Sequence, residues 1–379
     1  MRVVVAPNAL KGSLTAPEAA RAIARGVLRA APTATVLELP IADGGDGTSD
    51  ILIAACSGST RVNSVRDALG RPVRASWGVI GAPLLGVIDV ASASGLARLA
   101  PAERNPWLTS SYGTGELLCA ALDAGCSRIL LGVGGSATVD GGLGILAALG
   151  FALLDPRGAP VAPAGRGLAE LAQIGASHVH PALARTAIEI ACDVENPLLG
   201  ANGAARVFAP QKGANPEQVL ALEAGLSRLS EVIERYSGRD VRALRFGGAA
   251  GGIAAGLAGV LGATLCSGID RVLDRVGFEN ALDGADFVIT AEGRFDAQSS
   301  WNKGPIGVAR RARSRGVPTL LLAGSIESGL EPGAFRELWG ARAIAEGLDA
   351  ATAFTRAGEL LEQAAARATT EFLASTAVT

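Results

Sequence analysis

The chain has 379 residues, 49% of them hydrophobic and 18% charged, with a mean hydropathy of +0.33, so it can bury more than one sizeable core and is not a disordered polymer. A net charge of −2, four Trp, two Tyr and nine Phe give no electrostatic pull toward nucleic acid or an anionic membrane and few surfaces for stacking bases, which argues against both partners. Five cysteines without a CxxC pair and only two histidines exclude a His-rich metal site and a good Ser-His-Asp triad, and free thiols fit a reducing cytoplasm.

The opening RVVVA predicts a buried parallel strand, and its early turn to polar residues is unlike a secretory leader. TAPEAARAIARGVLRAA predicts the helix that follows, with Thr15 and Glu18 as a capping box and Ile23 and Val27 on its inner face. Between them PNALKGS holds Lys11. The chain has 34 basic residues but only three lysines, Lys11, Lys212 and Lys303, each followed by glycine. A compact ammonium on a flexible stem suits a point contact with a phosphate or substrate oxygen, whereas arginine offers a planar fork. A loop beyond a strand's carboxyl end and near a helix N-terminus favours anions as well. The plainer reading of each lysine is a solvated loop residue.

ATVLELP predicts a second strand, IADGGDGTSD a glycine turn, and about Thr48 to Cys56 a helix. From STRVNSV to GVIDVAS the texture becomes short and hairpin-like, and SRILLGVGGSATVDGGLGILAALG then restores a strand, loop and helix. Residues 247–266 predict an uncharged helix with its large apolar side chains on one face, packed against protein and not lipid. SHVHPA, with both histidines, reads as a loop. ADFVITAEGRFD, VPTLLLAGS and ARAIAE predict buried strands alternating with helices. The expectation is an α/β fold of two domains: a Rossmann-like or flavodoxin-like parallel-sheet domain formed by both chain ends, residues 1–60 plus 284–379, and an inserted α/β domain, 61–283.

Glycines gather in ADGGDGT, GVGGSATVDGG and GGAAGG, where backbone amides can approach phosphate oxygens without a Cβ in the way. No GxxxxGK[ST] occurs, so a Walker P-loop is excluded. Gly132, Gly134 and Ala137 satisfy GxGxxA after a strand, and Asp155 stands near the ribose-binding position, which leaves an NAD(P)-dependent oxidoreductase as a rival reading. Gly141 and Gly142 break the helix that this motif needs, and Asp140 would repel a pyrophosphate. Carboxylates also collect in these loops: Asp43, Asp46, Asp140, Asp193, and Glu292 and Asp296 flanking Arg294. Acids, lysines and glycine turns together are the inventory of Mg²⁺-assisted phosphoryl transfer.

The segments APNALKGSL, ADGGDGT, ERNPWLTSSYGTGEL, GVGGSATVDGG, ACDVENPLLG, FAPQKGA, GAAGG, EGRFDAQS and NKGPIGVA, in that order and over nearly the whole chain, resemble the bacterial glycerate kinase family. The resemblance implies an enzyme that phosphorylates glycerate to 2-phosphoglycerate with ATP and Mg²⁺ in the cleft of two α/β domains, working as a monomer or homodimer. It implies that Lys11, Lys212, Arg294 and Lys303 neutralise phosphates or hold the substrate carboxylate. Asp193 would orient the attacking hydroxyl, with Glu292 and Asp296 as alternatives or metal partners and Asp140 as a further metal ligand. Asn8, Ser13, Asp43, Gly44, Gly45, Gly134, Gly135 and Ser136 would line the substrate or nucleotide pocket. The chain departs from the family pattern at Asn8-Ala9-Leu10-Lys11 in place of D-S-F-K, at Val139 in place of asparagine, and at Ala291 and Asn302 in place of glycine. The changes at 8 and 139 alter polar groups expected to face the site. They leave open a paralogue acting on another hydroxy acid or polyol, or a binder without turnover.

Overall fold

The computed structural model describes residues 1–45, 47–192, 194–296 and 304–376. Its strands in chain order are Arg2–Val5 (β1), Thr35–Glu38 (β2), Ser59–Arg66 (β3), Pro72–Ile80 (β4), Leu85–Asp89 (β5), Arg128–Gly132 (β6), Ala152–Leu154 (β7), Gln173–Gly175 (β8), Ala187–Cys192 (β9), Thr264–Ser267 (β10), Phe287–Phe295 (β11), Thr319–Ile326 (β12) and Gly340–Ala343 (β13). The chain packs as two units, Met1–Asp43 with Ile269–Thr379, and Gly44–Gly268.

The first unit is a five-stranded parallel sheet in the order β13-β12-β11-β1-β2. Counted within the unit, this is the flavodoxin-like order 2-1-3-4-5, and its winding reverses between β1 and β11. Val3, Val4 and Val5 have no exposed surface, which is why β1 reads as an unbroken apolar run and not as an alternation. The helix Ala16–Ala30 starts at the expected capping box: the Thr15 amide donates to Glu18 Oε2 at 2.8 Å and the Glu18 amide to Thr15 Oγ1 at 3.4 Å. It lies against the helix Ala357–Thr376 so closely that a Cβ on Gly26 would stand 2.2 Å from the Glu362 carbonyl oxygen.

The second unit carries a six-stranded sheet, β10-β9-β6-β5-β4-β3. Its strands from β5 to β10 run parallel, and β4 is antiparallel to both β5 and β3. One large apolar core fills this unit.

The units meet at 43/44 and 268/269, whereas the sequence suggested boundaries near 60 and 284. The helix Thr48–Ala55 packs on β4 and β5, so it belongs to the insert. After Gly268, Ile269 packs against Gly307 and Arg311 pairs with Asp270, Asp274 and Glu279, which joins that stretch to the first unit.

Residues 247–266 do not form one helix. Only Ile253–Leu261 is helical; Gly262 (φ +70) ends it, and the next residues pair as β10 with β9. Its close packing is real, since a Cβ on Gly256 would stand 1.9 Å from the Gly141 carbonyl oxygen. Among the described residues no helix is long and apolar enough to cross a membrane.

Candidate active site

In the first unit a cavity of about 610 Å³ opens at the carboxyl ends of β1, β11, β12 and β13. This is the edge where an open α/β sheet binds ligands, at its point of winding reversal. Asn8 leaves β1 with its amide donating to Ala291 O at 2.8 Å. Its Nδ2 donates to Asp43 Oδ2 at 3.0 Å, and its Oδ1 accepts the Ala9 amide at 2.8 Å. Asn8 and Asp43 both line the cavity.

Lys11 stands on a tight turn between Leu10 and Leu14. The amides of Ser13 and Leu14 donate to the Leu10 carbonyl at 2.9 and 3.0 Å, as does the Ser13 hydroxyl at 3.1 Å. Gly12 supplies the left-handed conformation that the turn requires (φ +82). Lys11 is exposed on this turn, and it and Ser13 line the cavity.

From β11 come Glu292 and Arg294, two residues apart and so on one face of the strand. Asp296 follows them. Glu292 is buried, with 8% exposure, while Arg294 is open and pairs with Glu327 at 3.2 Å. Two cations and three carboxylates therefore line one hollow, with Ser325 from β12 beside them. The wall at the end of β13 is apolar: Ile344, Leu348, Ala353 and Phe354. The Phe354 ring packs over Gly12, where an added Cβ would approach its Cε1 to 3.0 Å.

The other predicted residues lie in the second unit. Gly44 accepts the Gly134 amide at 3.0 Å, and its own Cβ would stand 2.7 Å from the Ala191 carbonyl oxygen, so this turn admits only glycine. Gly135, with φ +71, accepts the Leu96 amide. Lys212 is buried, its Nζ donating to Ser136 Oγ and to the Thr138 carbonyl, both at 2.7 Å. It braces the GVGGSAT loop from within. Gly45 precedes the helix Thr48–Ala55, its carbonyl accepting the Thr48 hydroxyl at 2.7 Å.

Asp140 is fully buried, and its oxygens accept from the Ser111 amide and hydroxyl and from the amides of Gly142 and Gly144. Burial pushes its carboxyl above the usual range, opposed by these hydrogen bonds. It is an internal tie between loops, which corrects its reading as a metal ligand. Among the described residues no group of three or more His, Cys, Asp or Glu side chains is arranged to hold a metal ion.

Asp193, Lys303, Asn302 and Asp46 lie outside the described residues. Val139 is wholly buried in the core of the second unit and Ala291 in that of the first. Neither faces a site, contrary to the expectation for residue 139.

The dinucleotide reading also fails on geometry. No helix follows β6 directly; the next is Leu143–Ala148. β7 leaves to pair with β8, and Asp155 is a turn residue accepting the Arg157 and Ala159 amides at 2.8 and 2.9 Å.

Two residues escaped the sequence reading. Asp89 ends β5 buried, with Oδ2 accepting the amide and hydroxyl of Ser49 at 3.1 and 2.8 Å. Its signal was present in GVID, a strand ending on an acid. Phe354 belongs to no motif.

The model of the glycerate kinase family matches residues 3–373. The chain is 45% identical over 326 residues to the glycerate kinase of Bacillus subtilis, covering 86% of this chain and 85% of that protein. It is 44% identical over 327 residues to the glycerate 2-kinase of Escherichia coli, covering 86% of each. A crystal structure of a candidate glycerate kinase 2 from Salmonella typhimurium LT2 superposes with a TM-score of 0.84 at 41% identity, over 99% of both chains.

Proposed function

Because this chain belongs to the glycerate kinase family, it uses ATP to phosphorylate glycerate, and we propose that transfer is to the secondary hydroxyl, giving 2-phosphoglycerate, with the cavity of the first unit as the phosphate-handling site. The observation that carries this reading is the convergence of Lys11, Arg294, Asp43, Glu292 and Asp296 on one hollow at the β1/β11 reversal. The Escherichia coli relative is a glycerate 2-kinase, which supports the choice of hydroxyl.

Phosphoryl transfer asks little covalent chemistry of the protein and much positioning and charge stabilisation. Lys11, fixed by its turn, and Arg294, held toward Glu327, present positive charge to phosphoryl oxygens. Glu292 is the buried acid suited to orienting an acceptor hydroxyl in this cavity. Asp193 is assigned the same role by its motif, and replacing each in turn separates the two. Asp43 and Asp296 offer the hard oxygens that Mg²⁺ takes one or two at a time beside waters and phosphates. Bound there, the ion would neutralise charge between the phosphates. Cys119 and Cys126 are free thiols, which supports a reducing cytoplasm as the compartment.

The test is ADP formation from ATP and Mg²⁺ with D-glycerate and a panel of other hydroxy acids and polyols, the product identified by phosphorus NMR. The expected product is 2-phosphoglycerate. The 3-phosphate would overturn the choice of hydroxyl, and faster turnover of another acid would overturn the substrate.

A further inference from the structure

We propose that the apolar wall formed by Ile344, Leu348, Ala353 and Phe354 is the seat of the nucleotide base, so that ATP lies with its base against residues 344–354 and its phosphates toward Lys11 and Arg294. The inference rests on the kinase reading above and adds to it where, and by what contacts, the nucleotide is held.

The argument starts from a mismatch between the cavity and the smaller substrate. Glycerate is a three-carbon acid with a polar group on every carbon and has no flat apolar face. The cavity takes its polar lining from the ends of β1, β2, β11 and β12; the residues it draws from 344–357 are Ile344, Ala345, Leu348, Ala350, Ala353, Phe354 and Ala357, without one polar side chain among them. In a reaction between glycerate and ATP, the extended apolar surface that could cover this wall is the base.

Exposure points the same way. Leu348 is 38% exposed and Phe354 50%, yet both border this hollow. Contiguous apolar surface rimmed by polar groups is the character of a ligand-binding groove. Phe354, on the helix Ala350–Thr355, also lies over Gly12, next to Lys11 in sequence, so its ring borders the turn that carries the phosphate-seeking ammonium. A volume of about 610 Å³ falls within the range of small-molecule and cofactor sites.

The test uses the full-length protein with Phe354→Ala, Leu348→Asp and the conservative Phe354→Tyr, reading ADP affinity by calorimetry, KM for ATP and for glycerate, and melting temperature. Both side chains are exposed, so the variants should fold. Loss of a base-stacking contact should weaken ADP binding and raise KM for ATP roughly tenfold in Phe354→Ala and Leu348→Asp, with Phe354→Tyr near wild type and KM for glycerate within about twofold. Unchanged ADP affinity in both disruptive variants, or a rise confined to KM for glycerate, would overturn the assignment. A wild-type protein that binds ADP through Leu348 and Phe354 but forms no ADP with glycerate would keep the base seat and remove the kinase reading.

Discussion

Asn8 donates its side-chain amide to the Asp43 carboxylate at 3.0 Å, tying the loop after β1 to the loop after β2 at the floor of the candidate phosphate site. A carboxylate at position 8 would set two like charges at that distance, each disfavouring the other's ionisation unless a cation lies between them. Asn8→Asp should therefore lower stability by roughly 1 kcal/mol without divalent metal and regain it with Mg²⁺. Melting curves with and without Mg²⁺ check this, and a metal-independent melting temperature would show that the two carboxylates do not share an ion.

Lys11 is held by its turn and not by its ammonium, so removing the charge should leave the fold alone. Lys11→Ala should reduce kcat by roughly 10²–10³ at an unchanged melting temperature, the scale on which one charge-stabilising donor is lost. Lys11→Arg should recover little, because a planar fork does not reproduce a point contact. Activity of Lys11→Ala within a few-fold of wild type would remove the residue from the mechanism.

Val139→Asn, which restores the residue more common in the family, should act on stability and not on specificity. Position 139 lies wholly in the core, and an amide buried there without partners costs on the order of 2–3 kcal/mol. The melting temperature should fall while the KM values for glycerate and ATP stay put. A changed preference among hydroxy acids would contradict the burial.

Asp140→Ala should be harsher. It orphans the buried amides of Ser111, Gly142 and Gly144 together, at a combined cost of roughly 3 kcal/mol or more. Asp140→Asn keeps one acceptor oxygen and should lie between the two. Denaturant midpoints rank the three proteins, and a chelator should leave wild-type stability at this position untouched.

Asp67 predicts an acid-sensitive element. Burial works to raise its carboxyl, but the Arg71 amide, the Arg71 guanidinium at 2.6 Å and the Leu69 amide outweigh it and hold the group below the usual range. A depressed folded-state value means that the stabilisation is complete above the unfolded value of about 4 and is lost as pH falls through the lower folded one. Asp67→Asn should be less stable at neutral pH and should lose less than wild type between about pH 4 and pH 2. Parallel acid-melting curves would defeat this.

Much of the first unit was legible because its signals are local. An unbroken valine run marks a strand covered on both faces, and Thr15 with Glu18, three residues apart, fixes the helix start. Lys11, Glu292 and Arg294 could be placed because strand ends in parallel sheets are where ligands lie. The insert's boundary was not legible, since the pattern of Thr48–Ala55 suits a helix on either sheet and nothing in it says which. Nor was the orientation of Val139: outside a regular strand no alternation tells which way a side chain points, and packing decides. Residues 247–266 misled because glycine and alanine between spaced large residues fit a helix until Gly262, after which pairing with β9 wins. Phe354 carried no signal because its meaning depends on Gly12, far away in sequence.

The central position of β1, between β2 and β11, has a consequence for how the chain is born. Its partner on one side begins only at Phe287, which at ribosomal speeds emerges roughly 10–50 s after the first hairpin-sized segment is complete. Through that interval β1 offers a bare edge, the kind that invites pairing with a foreign strand, while the contiguous insert has everything it needs to collapse. A nascent chain halted before Phe287 should thus carry a protease-resistant insert and a cleavable amino-terminal arm, whereas simultaneous protection of both would require β1 to find cover elsewhere.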